Sequence, residues 1–120
     1  MSESSNSKPT PVTFEEYVQI CEESGILTDD MKQVETDYRV GCAMADVTDE
    51  LVTAMESYPA FHSAHEGFGV LKEEVDELWE HVKVKQGGRD IAAMRAEAIQ
   101  IAAMAIRFAA DVCHDEAGQN

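Results

Sequence analysis

Basic residues are scarce in this sequence of 120 residues, which holds nine Lys and Arg against 24 Asp and Glu and carries a formal net charge of −15. A surface this acidic repels phosphate groups, so neither nucleic acid nor an anionic membrane is expected as the main partner. Cations are attracted instead. A phosphate-bearing substrate is compatible with this charge only if a divalent metal ion binds first and reverses the local sign.

Cysteine pairs and long apolar runs are missing as well. The three cysteines, Cys21, Cys42 and Cys113, lie far apart and show no Cys-x-x-Cys spacing, which argues against a disulfide framework or a zinc site. No signal peptide is recognisable, and no apolar stretch is long enough to span a membrane. We therefore expect a cytoplasmic protein without a membrane partner.

Strand signals are also absent, because no segment sustains the alternation of β-branched residues that is typical of a sheet. Helical periodicity and capping residues instead predict four helices, over about 14–24, 30–57, 63–85 and 91–114. Residues 1–12 are polar and are expected to form a disordered tail. Residues 13–116 are expected to form a single all-α domain of the four-helix-bundle type.

The third predicted helix, Ser63 to Lys85, places acidic residues beside its apolar stripe. At about 100° per residue, the stripe consists of Leu71, Val75, Leu78 and Val82. Glu74, Glu77 and His81 fall along one flank of it. A carboxylate at the edge of a packed face costs free energy unless a partner or a metal ion satisfies it. The placement of these two acids therefore indicates a binding partner.

The last predicted helix has one polar line through a surface that is otherwise rich in alanine. The line consists of Glu97, Gln100, Met104, Arg107 and Asp111. The short join at Gly87-Gly88 predicts a central antiparallel hairpin. Counting outward from this join brings Glu77 level with the start of the line and Glu74 level with its second member. One tier further, His65 and Glu66 come level with its end.

Several carboxylates that converge inside a helical bundle repel one another, and a hard divalent ion relieves that repulsion. The candidate ligands are oxygen atoms with no cysteine among them, which favours Mg²⁺ or Mn²⁺ over Zn²⁺. Glu at positions i and i+3 of one helix, facing a Glu on the antiparallel neighbour, is an arrangement that helix bundles use for metals. The sequence therefore predicts a metal site at the hairpin.

Two stretches of the hairpin carry the acids in a recognisable order: Lys72-Glu73-Glu74-Val75-Asp76-Glu77-Leu78 and Arg95-Ala96-Glu97-Ala98-Ile99-Gln100. They resemble the Glu-x-x-Glu and Glu-x-x-Asp motifs of the MazG-like all-α nucleoside triphosphate pyrophosphohydrolases, in particular the small phage-type members. The resemblance covers 63–112. It implies Mg²⁺-dependent cleavage of a nucleoside triphosphate between its α- and β-phosphates, which yields the monophosphate and pyrophosphate. Purine deoxynucleotides such as dGTP or dATP are the substrates it suggests.

The resemblance also implies roles for individual residues of the hairpin. Glu74, Glu77 and Glu97 would bind Mg²⁺ or Mn²⁺. Gln100 stands where the family has Asp, so its amide oxygen would be a weaker fourth ligand than a carboxylate. Glu74, aided by Glu73, would orient the attacking water.

Substrate contacts are expected from residues farther from the turn. Arg107 is the best-placed cation for phosphate oxygens, and Asp111, Glu73 or Glu66 would supply the negative charge that Gln100 lacks. His62 and His65 would contact the base. Each of these residues also has a possible structural role. The two histidines would cap the helix, and Asp111 would form an ion pair with Arg107, four residues earlier.

Other functions are compatible with the same residues. A non-catalytic acidic helical protein would use its charge as a decoy or binding module for a basic partner. A phosphoribosyl-ATP pyrophosphohydrolase would have related chemistry and a related fold. The Glu-x-x-Glu spacing by itself is common on solvated helix faces, so the spacing alone does not separate these functions.

The last helix is apolar on nearly all sides, which predicts self-association. A helix that faces solvent on one side normally has a polar face there, so we expect a second subunit to cover this one. The expected state is a dimer or a tetramer, and light scattering after size exclusion measures it. A stable monomer would contradict this expectation.

Overall fold

The computed structural model describes residues 12–26 and 28–114. These residues form four α-helices, α1 (Phe14–Glu23), α2 (Met31–Ser57), α3 (Ala64–Val82) and α4 (Ile91–Val112), with a 3₁₀ turn at Gln86–Gly88. No strand occurs among the described residues, so the all-α prediction is confirmed. No helix found there is both long enough and apolar enough to cross a bilayer. The tail predicted over 1–12 lies outside the described residues except for Val12, and so does the predicted domain end at 116.

The observed helices follow the predicted ranges to within one or two residues, except at the end of α3. This helix ends at Val82 rather than at Lys85. Arg89 Nε donates to the carbonyl oxygen of Val82 at 2.9 Å and to that of Val84 at 3.1 Å. The guanidinium thus satisfies carbonyls that have lost their helical partners and stabilises the turn into α4.

The chain divides into two compact units, with the boundary between Ala43 and Met44 inside α2. In the first unit, an aromatic cluster joins α1 to the start of α2. The ring of Tyr38 packs against those of Phe14 and Tyr17, with both centroid distances 5.4 Å. These contacts bury the apolar face that the periodicity of α1 predicts. The expectation of one domain over 13–116 stays a prediction.

The starts of α1 and α3 both carry Ser or Thr followed three residues later by Glu, the sequence pattern of a capping box, but their hydrogen bonds differ. At α1, Glu16 N–H donates to Thr13 Oγ1 at 3.1 Å and Thr13 N–H donates to Glu16 Oε1 at 2.7 Å, which completes the capping box. At α3, Glu66 N–H donates to Ser63 Oγ at 3.1 Å, but the Glu66 carboxylate accepts from the backbone N–H of His62 at 2.5 Å. The second motif therefore closes one residue earlier than a capping box would.

The second unit has a small core between α2, α3 and α4. Its buried side chains are Ala54, Ala103 and Met104. Partly buried residues pack around them: Val47, Leu51, Phe61, Val70 and Leu71. The alanines let the helix backbones approach closely, and α3 packs along α4 in the predicted hairpin. This hairpin positions the candidate site.

Gly67 marks the closest approach within this core. A Cβ atom at Gly67 would lie 2.7 Å from Phe108 Cδ2 and 3.1 Å from Phe61 Cδ2. At Gly69 the same added atom would meet nothing within 4 Å. Only the first of these two glycines is therefore required by packing, whereas the sequence gives no means to separate them.

Substitution of the two glycines should have opposite effects on stability. Gly67→Ala should lower the free energy of unfolding by about 1–3 kcal/mol, because the new methyl group displaces two packed rings. Gly69→Ala should raise it by up to about 1 kcal/mol, since alanine is the better helix former and the space is open. Urea unfolding measures both. Equal effects of the two variants would contradict the packing described here.

Candidate metal centre

Three carboxylates converge where α3 faces α4. Glu74 and Glu77 lie one turn apart on α3, and Glu97 projects from α4. Each offers an oxygen atom, and the three oxygens all lie within 4.8 Å of one another. Glu74 and Glu97 are half-buried, and Glu77 is exposed. The geometry thus brings together the three residues that the hairpin count placed at neighbouring levels.

The electrostatics of this acidic triad, Glu74, Glu77 and Glu97, disfavour three negative charges at once. Burial raises the pKa of Glu74 from 4.5 to about 7, and the charges of Glu77 and Glu97 add to the shift. A hydrogen bond with Glu97 and the charge of the adjacent Glu73 act in the same direction. Near neutral pH, Glu74 therefore holds a proton for part of the time, and a divalent cation would take the place of that proton.

His81 extends the triad by one turn. Its Nε2 atom lies 3.9 Å from Glu97 Oε2, and both side chains are partly buried. The sequence places His81 on the flank of α3 that carries Glu74 and Glu77, but it was not expected to be a ligand. At this separation the imidazole stands beside the Glu97 carboxylate without a hydrogen bond to it.

A cleft of about 540 Å³ adjoins the triad in the second unit. Glu74 belongs both to the triad and to the cleft wall. The other polar side chains of the wall include Glu50, Thr53, Ser57, Glu66, Gln100 and Arg107. Sequence reasoning did not identify Glu50, Thr53 or Ser57, since the hairpin count says nothing about which face of α2 turns toward α3 and α4.

Arg107 is a buried cation in the cleft wall, with 5% of its surface exposed. Its terminal nitrogens donate to the carbonyl oxygens of Ala54 at 3.2 Å and Tyr58 at 3.0 Å, at the end of α2. Its Nε lies 3.3 Å from Asp111 Oδ2 but makes no hydrogen bond, because the alignment is poor. The guanidinium also stands 5.5 Å from the centre of the Phe61 ring. These contacts tie α4 to α2.

The expected ion pair between Arg107 and Asp111 is therefore present. Asp111 Oδ2 also accepts from the backbone N–H of Phe61 at 3.0 Å, which fixes the connection between α2 and α3. A carboxylate engaged in this way has a structural role. The phosphate contact expected of Arg107 and the substrate contact expected of Asp111 stay predictions.

The remaining predicted site residues lie around the cleft entrance and α3. Gln100 and Glu66 line the cleft. His62 is exposed, with its Nδ1 atom 3.6 Å from Glu66 Oε1, and His65 is exposed in the first turn of α3. Glu73 is exposed next to Glu74. The role of Gln100 as a fourth metal ligand stays a prediction, and so do the roles of the other four residues toward the attacking water or the substrate.

No protein-family model, curated protein or solved structure matches this chain. The likeness to the MazG-like pyrophosphohydrolases therefore depends on the two quoted stretches of sequence and stays a prediction. The fold contributes one further observation, which is that Glu74, Glu77 and Glu97 converge.

The donor set of the triad fits a hard divalent ion. All three groups offer carboxylate oxygens, which Mg²⁺ and Mn²⁺ prefer. Burial raises the pKa of Glu74 most, and a cation between the three groups would relieve the repulsion that adds to this shift. Within 12–26 and 28–114, no other group of acidic, histidine or cysteine side chains converges in this way. Glu74, Glu77 and Glu97 are thus the residues that would hold a metal ion.

Replacement of Glu74 by its neutral isostere should stabilise the protein at high pH. The folded-state pKa of about 7 exceeds the ordinary 4.5, so ionisation of Glu74 costs folding free energy as pH rises between these values. In EDTA, Glu74→Gln should leave Tm nearly unchanged at pH 4.5 and raise it at pH 8. The corresponding gain in the free energy of unfolding at pH 8 should be about 1 kcal/mol, once solvent screening is allowed for. Thermal unfolding followed by circular dichroism measures this.

Glu56→Gln, at an exposed position of α2, is the matched control and should show no such pH dependence. Addition of Mg²⁺ at pH 8 should raise Tm of the unmodified protein more than that of Glu74→Gln, since ligand binding stabilises the folded state. Equal Mg²⁺ effects on both proteins would show that Glu74 does not bind the ion.

Proposed function

We propose that this protein is a Mg²⁺-dependent nucleoside triphosphate pyrophosphohydrolase, which converts a ribo- or deoxynucleoside triphosphate to the monophosphate and pyrophosphate. The observation that supports it is the convergence of Glu74, Glu77 and Glu97 within 4.8 Å beside a cleft of about 540 Å³. The resemblance of the same stretches to MazG-like motifs suggests which bond is cleaved, the one between the α- and β-phosphates. A cytoplasmic location and self-association belong to the same proposal.

The distribution of cations supports a metal-dependent reaction. Five of the six basic side chains in 63–112 already have protein partners: Lys72 with Asp76, Lys83 with Glu80, Arg89 with backbone carbonyls, Arg95 with Asp46, and Arg107 with Asp111. Few cations are thus free to neutralise a triphosphate. A chain of net charge −15 therefore needs a bound divalent ion to attract this substrate.

The residues of the site divide the reaction between them. Glu74, Glu77 and Glu97 would hold the ion, which when bound neutralises the triphosphate and lowers the pKa of a water molecule. Glu74, at the junction of triad and cleft, orients the attacking water, and Glu73 lies next to it to accept the released proton. Water cleaves the bond between the α- and β-phosphates, and pyrophosphate leaves.

The wall of the cleft accounts for binding of the organic part of the substrate. Tyr58 and Phe61 contribute aromatic rings, and Thr53 and Gln100 contribute hydrogen-bonding groups. Pockets for small ligands are of this size and combine apolar walls with a few polar groups. Binding energy from this part of the substrate would position the phosphates against the triad.

A panel of nucleoside triphosphates incubated with Mg²⁺ tests the proposed function. Monophosphate and pyrophosphate should form, and Glu77→Gln should reduce kcat by at least about 100-fold because a ligand of the ion is lost. Glu56→Gln should retain full activity, and circular dichroism should show that both variants keep their helices.

Formation of diphosphate and phosphate, or full activity of Glu77→Gln, would contradict the proposal. Turnover of phosphoribosyl-ATP in preference to nucleoside triphosphates would favour the related pyrophosphohydrolase. An absence of all turnover, together with binding to a basic protein, would favour the non-catalytic acidic module.

A further inference from the structure

Glu50 is a carboxylate in the cleft wall that the metal centre does not use. It projects from α2, is half-buried, and lies outside the acidic triad. Among the described residues it makes no hydrogen bond and no ion pair. Its two carboxylate oxygens are therefore open to accept hydrogen bonds from a group bound in the cleft.

The charges of the cleft exclude phosphate from the neighbourhood of Glu50. Three carboxylates line the cleft, Glu50, Glu66 and Glu74, against one cation, Arg107. That cation is 5% exposed and is engaged with the α2 carbonyls and Asp111. The cleft therefore fits a neutral group that donates hydrogen bonds.

The same cleft has the surfaces that a flat ring requires. Tyr58, which is 67% exposed, and Phe61 stand on the segment between α2 and α3 and line the cleft with Met104. Aromatic faces bind planar heteroaromatic groups by stacking. The cleft reaches Glu74, so a ring held there would be connected to phosphates at the triad through a sugar of ordinary length.

We propose that this cleft binds the base of the nucleotide and that Glu50 selects bases that carry an amino group. The inference rests on the proposed function for the identity of the ligand as a nucleotide. An ionised carboxylate only accepts hydrogen bonds. Guanine presents N1–H and N2–H₂ side by side, which match the two carboxylate oxygens, whereas adenine and cytosine present one amino group next to an acceptor.

Thymine and uracil are rejected for the opposite reason. Their N3–H group stands between two carbonyl oxygens, and a carboxylate that approaches it meets both oxygens. A carboxylate that accepts one hydrogen bond from this N3–H still faces a carbonyl oxygen, so its second oxygen is repelled and left without a donor. Glu50 is thus a specificity-determining residue, and the expected order of affinity is guanine first and thymine last.

Binding of deoxynucleoside monophosphates tests this without any bond cleavage. Isothermal titration in Mg²⁺ buffer should show dGMP bound at least about 10-fold more tightly than dTMP, with dAMP and dCMP between them. Glu50→Gln, whose amide both donates and accepts, should weaken dGMP by about 10-fold or more and should not weaken dTMP. A fall in the ratio of dGMP to dTMP affinity is a change that loss of structure alone does not produce.

Glu56→Gln, one and a half turns farther along α2 and outside the cleft, should keep the affinity profile of the unmodified protein. Glu50→Ala serves as a second variant, and it should lose the preference without gaining a new one. Equal binding of all four monophosphates, or an unchanged profile in Glu50→Gln, would overturn the inference even if triphosphates are hydrolysed. Selective dGMP binding without hydrolysis would leave it standing while the proposed function fell.

Discussion

Repulsion among the carboxylates of Glu74, Glu77 and Glu97 is the constraint that the packing of the hairpin has to overcome. Three such groups within 4.8 Å are unfavourable, and burial together with this repulsion raises the pKa of Glu74. The packing of α3 on α4 opposes it. Ala103 is completely buried between the helices, and Gly67 lets the rings of Phe108 and Phe61 approach α3. The acidic site is thus held by apolar contacts that lie beside it.

A second set of contacts keeps the cleft open next to this site. Arg107 reaches from α4 to the last carbonyls of α2, and Asp111 holds the backbone of Phe61. These contacts position the end of α2 and the segment after it, which form one side of the cleft. The main buried cation of the unit thus has structural contacts, and under the proposed function a bound divalent ion would neutralise the polyphosphate.

The sequence is informative wherever contacts are local or follow from helical periodicity. The capping box at Thr13 and the approach of Glu74 and Glu77 to Glu97 follow from spacing and from the length of one short turn. The contact between Arg107 and Tyr58 could not be anticipated in this way, because it joins residues far apart in sequence. Glu50 was missed for a different reason. Apolar residues fall along two overlapping lines of α2, so the sequence does not determine which face of this helix turns toward α3 and α4.

The central claim is that Glu74, Glu77 and Glu97 share one divalent cation. X-ray diffraction from crystals grown with Mn²⁺ tests it most directly, because the anomalous signal locates the ion independently of any activity. The account predicts one anomalous peak bonded to oxygen atoms of all three carboxylates. Crystals without a peak there at saturating Mn²⁺, with the three side chains turned toward bulk water, would contradict it.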